Sequence, residues 1–212
     1  MIKHVDPSCR LNTMKNYLVL LFILFAGPVI ADQCVEGDCV NGKGTMIYST
    51  GHIYIGEFRN GMRDGAGYLS MPLGRTLEAR WRRNDAIEGT YTYPNGKVYI
   101  GQWQFRERNG HGMLKYCDGR IYEGEFNSGL RTGKGMMIWP DGRKYVGDFV
   151  KGNRTGKGTM AYPGGRMYVG DFENGERTGN GVMILPNGDR LEGHFMHGEY
   201  IGPKNLNFAK GH

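Results

Sequence analysis

Proline is scarce in this chain although glycine is abundant: 8 of the 212 residues are proline and 36 are glycine. Ordinary proteins contain roughly 7% glycine, less than half of this proportion. A glycine excess without proline excludes collagen and a flexible Pro/Gly linker, so the glycines must occupy specific positions. The formal net charge of +6 is too small to indicate nucleic acid binding by itself, and we expect no nucleic acid partner.

The sequence also lacks an apolar run long enough to span a bilayer comfortably, which takes about 20 residues. Its run from Tyr17 to Ala26 is shorter, follows Lys15, and precedes a break and small residues at Gly27 to Ala31. This pattern predicts a secretory signal over residues 1–31, with Met14 as an alternative start. The protein is then exported, to a periplasm, a cell surface or the medium. The alternative is an uncleaved N-terminal anchor.

Cysteine is rare, with four in the chain. Because export leads to an oxidising environment, we predict that Cys34 and Cys39 form a disulfide in an N-terminal cap, residues 32–40. Their spacing is a weak metal signal, and no other His or Cys pair completes a tetrahedral site. We therefore expect no metal and no cofactor.

The remaining sequence repeats itself. Residues 122–144 read YEGEFNSGLRTGKGMMIWPDGRK, and residues 145–167 and 168–190 follow the same pattern at a spacing of 23. Self-similarity at a fixed period predicts a repeat architecture, here over residues 41–203, with a C-terminal tail at 204–212. The units begin at Tyr54, Leu77, Tyr99, Tyr122, Tyr145, Tyr168 and Leu191.

Each unit has the pattern of a β-hairpin. Tyr122 to Phe126 alternates apolar or small with charged residues, as a half-exposed strand does. We predict a glycine-rich turn at Gly129 to Gly135, a second strand at Met136 to Trp139, and a type I turn at Pro140 to Gly142. Helix is excluded because each interior glycine costs a helix about 1 kcal/mol. Gly124 is expected to leave room for an aromatic ring of the neighbouring strand.

Stacked hairpins predict an all-β fold: an elongated open antiparallel sheet of about seven 23-residue units. The pattern Y-x-G-[ED]-F-x-x-G-x-R-x-G-x-G-x-x-x-[YW]-P-[DN]-G-[RK] resembles the MORN repeat, the membrane occupation and recognition nexus, from residue 41 to about 203. The resemblance implies a twisted ribbon of antiparallel hairpins. It also implies roles in membrane-lipid association, in protein scaffolding and in dimerisation.

No catalytic pattern stands apart from the repeat. The sequence has no G-x-S-x-G nucleophile turn and no phosphate-cradling glycine loop before a helix, so we predict that the protein is not an enzyme. We expect an exported scaffold or protein-binding module, whose partner is another protein or a second copy of the same chain. The alternative is a module that binds anionic membrane lipid or polysaccharide.

One unit departs from the pattern and is the first candidate binding site. The stretch from residue 76 to 91 is one residue short and has Ala79 where other units have glycine. Basic and aromatic residues concentrate there and in the next unit, as they do at contact surfaces. The alternative is a degenerate repeat that merely bends the sheet. The candidate residues are Arg80, Trp81, Arg82, Arg83, Trp103, Phe105 and Arg106.

Recurrent basic residues form the second candidate. Arginine recurs at the first turn as Arg63, Arg131, Arg154 and Arg177, and basic residues recur at the second turn. Stacking arranges each set as a ladder that could hold polyanions multivalently. The alternative is pairing with acidic residues such as Asp148 and Asp171. The second-turn basic ladder comprises Arg75, Lys97, Arg120, Arg143 and Arg166.

The apolar side chains leave a further question open. A single-layer sheet has no second layer to cover rings such as Tyr122, Phe126 and Trp139, or methionines such as Met137 and Met160. An exposed strip of this kind is typical of a partner site. The alternative is that the aromatic rings are buried against one another.

Overall fold

A computed structural model describes residues 31–203 and shows an all-β fold, as predicted. The chain divides into two compact units between Gly119 and Arg120. Unit 1 contains strands β1 Gln33–Gly37, β2 Lys43–Ile47, β3 Ile53–Arg59, β4 Met62–Met71, β5 Arg75–Arg82, β6 Asp85–Thr92, β7 Val98–Gln104 and β8 Glu107–Lys115. Unit 2 contains β9 Ile121–Asn127, β10 Leu130–Ile138, β11 Lys144–Val150, β12 Asn153–Ala161, β13 Met167–Glu173, β14 Glu176–Ile184, β15 Arg190–Met196 and β16 Glu199–Gly202.

Within each unit every strand pairs antiparallel with its neighbours in the chain, so each unit is an open stack of hairpins. A short 3-10 turn at Pro72–Gly74 joins β4 to β5. Among residues 31–203 there is no helix of the length and apolarity that a membrane crossing requires. The predicted export signal, apart from Ala31, and the tail at 204–212 lie outside the described residues.

The first turn is tighter than the sequence suggested. The predicted glycine-rich turn from Gly129 to Gly135 is wrong, because β10 begins at Leu130 and runs through these glycines. Only Ser128 and Gly129 form the turn, both with positive φ (46° and 77°), as in the two-residue turns that match strand twist. The second turn is as predicted: the Gly142 amide donates to the Trp139 carbonyl at 3.0 Å.

A bulge follows the first turn, and an acidic side chain stabilises it. The pairing of β9 with β10 shifts between Thr132 and Gly135, leaving two extra residues on β10. The Glu125 carboxylate accepts a hydrogen bond from the backbone amide of Lys134, one of these two, at 3.0 Å. The acid of the repeat motif is therefore a cap for a backbone group that the strand ladder does not reach.

A fully buried tyrosine organises each regular repeat. The Tyr145 ring has 0% exposed surface, and a Cβ added to Gly158 on the neighbouring strand would lie 2.5 Å from its Cε2 atom. The expectation for Gly124 is wrong in one respect: the nearest ring belongs to Tyr122 of the same strand, whose hydroxyl lies 2.7 Å from the position of an added Cβ. Glycine leaves room for the ring on both strands of the pair.

The rings pack edge to face along each unit. Tyr145 contacts Phe149 of its own strand at 5.3 Å between centroids and Phe172 of the next repeat at 4.9 Å. Met137 and Met160 are also buried, at 3% and 2% exposure. Of the two alternatives for the apolar face, burial of the rings against one another is the one observed.

Cys34 and Cys39 form the predicted disulfide across the loop that follows β1. Cys39 is buried, whereas β1 is exposed along its length. The bond fixes the terminal strand of unit 1 to the first residue that belongs to the core.

Candidate functional site

The first-turn arginines connect consecutive repeats. The Arg154 backbone carbonyl accepts a hydrogen bond from the Gly175 amide at 3.0 Å, and its guanidinium donates to the Gly175 carbonyl in return. The same group lies over the rings of Trp139, Tyr145 and Phe172 at 5.2, 5.5 and 5.8 Å. Burial lowers the pKa of Arg154. Arg131 and Arg177 make the equivalent pair of bonds to Gly152 and Gly198.

These arginines are therefore connections between repeats rather than a row of accessible cations. The alternative, in which these arginines pair with acidic residues such as Asp148 and Asp171, is not observed either. The carboxylates of Asp148 and Asp171 pair with Lys134 and Lys157, at 2.5 Å in both cases.

Replacing Arg154 with methionine is expected to lower the free energy of unfolding by about 2 kcal/mol, because the Gly175 carbonyl loses a charged donor and three rings lose their cation. The matched control is Arg190→Met, at an exposed position of β15, where we expect a change below about 0.5 kcal/mol. Urea unfolding of both variants measures the difference. Equal losses of unfolding free energy in the two variants would show that the contacts of Arg154 with the next repeat do not stabilise the fold.

Three of the five second-turn basic residues contact aromatic side chains of their own turns. Lys97 lies 4.0 Å from the centre of the Tyr93 ring, and burial lowers its pKa. Arg143 lies 5.3 Å from Trp139 and pairs with Asp141 at 2.7 Å. The remaining ladder residues are placed as follows: Arg166 lies 4.6 Å from Tyr162, Arg75 donates to the Pro72 carbonyl at 3.4 Å, and Arg120 is half-buried.

The structure separates the seven candidate residues of the irregular repeat. Strand alternation on β5 turns Trp81 inward, where it is 4% exposed, and turns Arg80 and Arg82 outward. Arg83 and Phe105 lie in turns, and Phe105 is 82% exposed. The structure brings Trp81, Trp103 and Arg106 together around one pocket.

This pocket, here called the tryptophan pocket, has a volume of about 660 Å³ within unit 1. It lies in the irregular repeat, where Leu77 stands in the position of the core tyrosine and Ala79 in that of its glycine. Tyr91 lies opposite Leu77 on the paired strand, whereas regular repeats have a methionine opposite the tyrosine, as Met160 opposite Tyr145. The residues that define the pocket are Tyr48, Arg63, Leu77, Trp81, Tyr91 and Trp103.

Two hydrogen-bond donors on residues that line the pocket have no partner within the described chain. They are Nε of Arg63 and Nε1 of Trp103, both buried. The Trp81 indole, by contrast, donates to the Gly67 carbonyl at 3.1 Å. The Arg63 guanidinium lies 4.3 Å from the Trp81 ring, and burial lowers its pKa. Unpaired buried donors are costly, and both of these atoms are shielded from solvent by the surrounding side chains.

Sequence reasoning missed several members of the pocket. Arg63 is a first-turn arginine that bonds Asn84 as Arg154 bonds Gly175, and its place in the pocket was not predicted. Tyr48 and Tyr91 were not singled out. A signal was present: Trp81 and Trp103 both occupy the motif position of Phe126, in consecutive units, so they had to share a face. Residues 31–203 contain no cluster of three or more metal-binding side chains.

Comparison with known proteins identifies the repeat. The sequence profile of the MORN repeat matches residues 41–53, 54–72, 88–98, 99–119, 122–142, 145–165 and 168–190. It therefore leaves out residues 73–87, which include Leu77, Ala79 and Trp81. No curated protein sequence matches the chain.

Solved structures with a similar fold are distant in sequence. The TCP domain of Drosophila melanogaster SAS-4 (dCPAP), in complex with a proline-rich motif of Ana2 (dSTIL), superimposes with a TM-score of 0.50 at 14% identity. The match covers 81% of this chain and 94% of that one. The wild-type TCP10 domain of Danio rerio CPAP gives a TM-score of 0.33 at 13% identity, over 72% of this chain and 84% of that one.

Proposed function

Because this chain belongs to the MORN repeat family, we propose that it is a non-enzymatic module that binds a protein partner. The observation that carries the proposal is the tryptophan pocket, an open space of about 660 Å³ lined by aromatic side chains. Elsewhere the polar groups of the regular repeats bond within the chain. The Tyr145 hydroxyl donates to the Asp148 carbonyl at 3.0 Å, and the Arg154 guanidinium donates to the Gly175 carbonyl of the next turn. The pocket is where aromatic side chains of the irregular repeat border an open space.

The comparison with the Drosophila domain supports this assignment. That domain shares the fold and is described in complex with a proline-rich motif of another protein.

Export is part of the same proposal. The pattern of residues 1–31 is that of a secretory signal. The disulfide between Cys34 and Cys39 supports it, because such bonds persist in oxidising compartments.

A second candidate function, binding of anionic lipid or polysaccharide, is favoured by the second-turn cations. In unit 2 Arg143 and Arg166 each lie over an aromatic ring at the surface. This interaction is electrostatic, so it weakens as the Debye length falls from about 30 Å at 0.01 M salt to about 3 Å at 1 M.

The test compares two double variants of the full chain, expressed with its own N-terminal segment and cross-linked in its native cells. Trp103→Phe/Arg106→Ala alters the pocket, and Trp139→Phe/Arg143→Ala alters a matched aromatic–basic pair in unit 2. We expect the pocket variant to lose about tenfold in recovery of a specific cross-linked protein, whereas the unit 2 variant retains it. Equal recovery by the two variants would contradict a partner at the pocket. Salt-sensitive binding to anionic vesicles that only the unit 2 variant loses would favour the second candidate.

A further inference from the structure

We propose that the tryptophan pocket binds an arginine side chain presented by the protein partner. This assignment rests on the proposed function, because it names the partner group that occupies the same pocket. It follows from the position of Ala86, which stands where regular repeats carry the arginine that connects two hairpins. The pocket is a guanidinium site that the irregular repeat does not fill with a residue of its own.

Strand pairing places Ala86 at the position of the first-turn arginines. Ala86 lies opposite Trp81 in the pairing of β5 with β6, as Arg154 lies opposite Phe149 in the pairing of β11 with β12. Alanine is too short to reach the next turn, so the irregular repeat lacks the guanidinium that other repeats supply. The other arginines at this position, each opposite an aromatic residue, are Arg63, Arg108, Arg131 and Arg177.

The groups that surround a guanidinium in a regular repeat have counterparts that line the pocket. The groups around the Arg154 guanidinium are the rings of Trp139, Tyr145 and Phe172 and the carbonyl of Gly175. By strand register, their counterparts in the irregular repeat are Met71, Leu77, Trp103 and the turn residue Arg106. All four counterparts line the pocket, as does Ala86 itself. The pocket therefore corresponds to the space in which a first-turn guanidinium lies in the regular repeats.

A backbone acceptor for the ligand is also present. In the preceding first turn, the Asn84 amide donates to the Arg63 carbonyl at 2.9 Å, and the Asn84 carbonyl accepts from the Arg63 guanidinium at 3.0 Å. Arg106 occupies the same place in the next turn, but within residues 31–203 its backbone makes neither bond to the preceding hairpin. Because Arg106 is exposed and lines the pocket, a donor from a ligand can reach this turn.

The lining favours a planar cation that carries hydrogen-bond donors. The faces of aromatic rings attract a cation electrostatically, most strongly for tryptophan and where water is excluded. A guanidinium stacks on such rings while it donates in its own plane, whereas an ammonium is compact and strongly hydrated. The pocket already contains one such contact, since the Arg63 guanidinium lies 4.3 Å from the centre of the Trp81 ring.

Neighbouring cations do not exclude a further guanidinium. Arg63 and Arg106 line the pocket, and none of its lining residues is acidic. In unit 2, burial chiefly lowers the pKa of Arg154, and the nearby Arg143 and Arg131 lower it further. Arg154 nevertheless occupies this place, so aromatic faces and a turn carbonyl can hold a cation beside other cations. An anion would meet the negative faces of the rings and a carbonyl oxygen, which repel it.

The test is titration of the full chain, expressed with its own N-terminal segment, with a short capped peptide that carries arginine between glycines. The matched peptide carries citrulline, which keeps the shape of arginine and replaces the guanidinium with a neutral urea group. Calorimetry gives the affinity for each peptide. We expect saturable binding of the arginine peptide and about tenfold weaker binding of the citrulline peptide.

Ala86→Arg restores the arginine of the regular repeats and should fill the pocket from within the chain. We expect it to weaken binding of the arginine peptide at least tenfold. It should also raise the urea midpoint by about 0.5 M, because the Arg106 carbonyl gains a donor and the neighbouring rings gain a cation. Leu130→Arg is the matched control: it adds the same charge at an exposed position of β10 and should leave peptide binding unchanged.

Ala86→Met provides a second variant should Ala86→Arg not fold. Its uncharged side chain occupies the same space, so it should also weaken the arginine peptide at least tenfold. Urea unfolding of each variant verifies that the fold is retained.

The outcomes separate the arginine assignment from the proposed function. The assignment is wrong if the arginine peptide does not saturate the chain, if the citrulline peptide binds equally well, or if the folded Ala86 variants bind as the unaltered chain does. It is also wrong if a matched glutamate peptide saturates the pocket instead. If it is wrong while Trp103→Phe/Arg106→Ala still loses the cross-linked protein, the protein-binding function stands without it. If that variant also retains the cross-linked protein, both assignments fall.

Discussion

Replacing Gly147 with alanine is expected to lower the free energy of unfolding by about 3 kcal/mol. A Cβ at this position would press against the Tyr145 hydroxyl and lie 2.6 Å from the Cα of Gly158 on the neighbouring strand. The ring cannot retreat, because it is fully buried between Phe149 and Phe172. Either the strands must separate or the ring must leave the core.

The matched control is Gly164→Ala in the second turn of the same unit. Gly164 has φ of 81° and nothing within 4 Å of an added Cβ, so alanine there costs only the strain of a left-handed backbone, about 1 kcal/mol. Urea unfolding compares the two variants. If Gly147→Ala lowers the free energy of unfolding no more than Gly164→Ala does, the packing of the Tyr145 ring does not require glycine at position 147.

The irregular repeat already has alanine in the position of Gly147, together with a smaller residue in the position of the tyrosine. Its Leu77 and Ala79 stand where regular units have tyrosine and glycine, as at Tyr145 and Gly147. The double variant Tyr145→Leu/Gly147→Ala should therefore be more stable than the sum of its single variants predicts, by at least about 1 kcal/mol. Strict additivity would contradict a direct contact between the ring and the glycine position.

The second large effect is loss of the fold at alkaline pH. Burial raises the pKa of Tyr54, Tyr99, Tyr145 and Tyr168 to about 12, whereas a tyrosine in an unfolded chain titrates near 10. The folded protein retains these protons where the unfolded chain releases them. Stability is therefore complete below about pH 10 and falls as the pH rises from 10 towards 12.

Tyrosinate absorbance and circular dichroism, recorded together as the pH is raised, measure this effect. We expect the buried tyrosines to ionise in the same transition that removes the β-sheet signal. The variant Tyr145→Phe/Tyr168→Phe has two fewer such groups, so its stability should decline less steeply above pH 10. Ionisation of every tyrosine near pH 10 in an intact sheet would contradict the assignment.

The sequence by itself determined the repeat and most of its chemistry. A 23-residue period with glycine at fixed positions permits hairpins and excludes helices, so the all-β fold and the turn at Pro140 to Gly142 could be predicted. The disulfide of Cys34 with Cys39 could be predicted too, because it depends on a short local loop. These features are set by neighbours in the chain, and the turn recurs from repeat to repeat.

The tertiary structure decided what depends on contacts between repeats. The sequence could not show that Arg154 bonds the turn of the next hairpin, since that bond requires the register of two stacked units. It likewise could not show that Arg63, which bonds the turn at Asn84 as Arg154 bonds the turn at Gly175, also lines a pocket with Trp81 and Trp103. The tryptophan pocket is lined by side chains from consecutive repeats, and only the packing of those repeats brings them together.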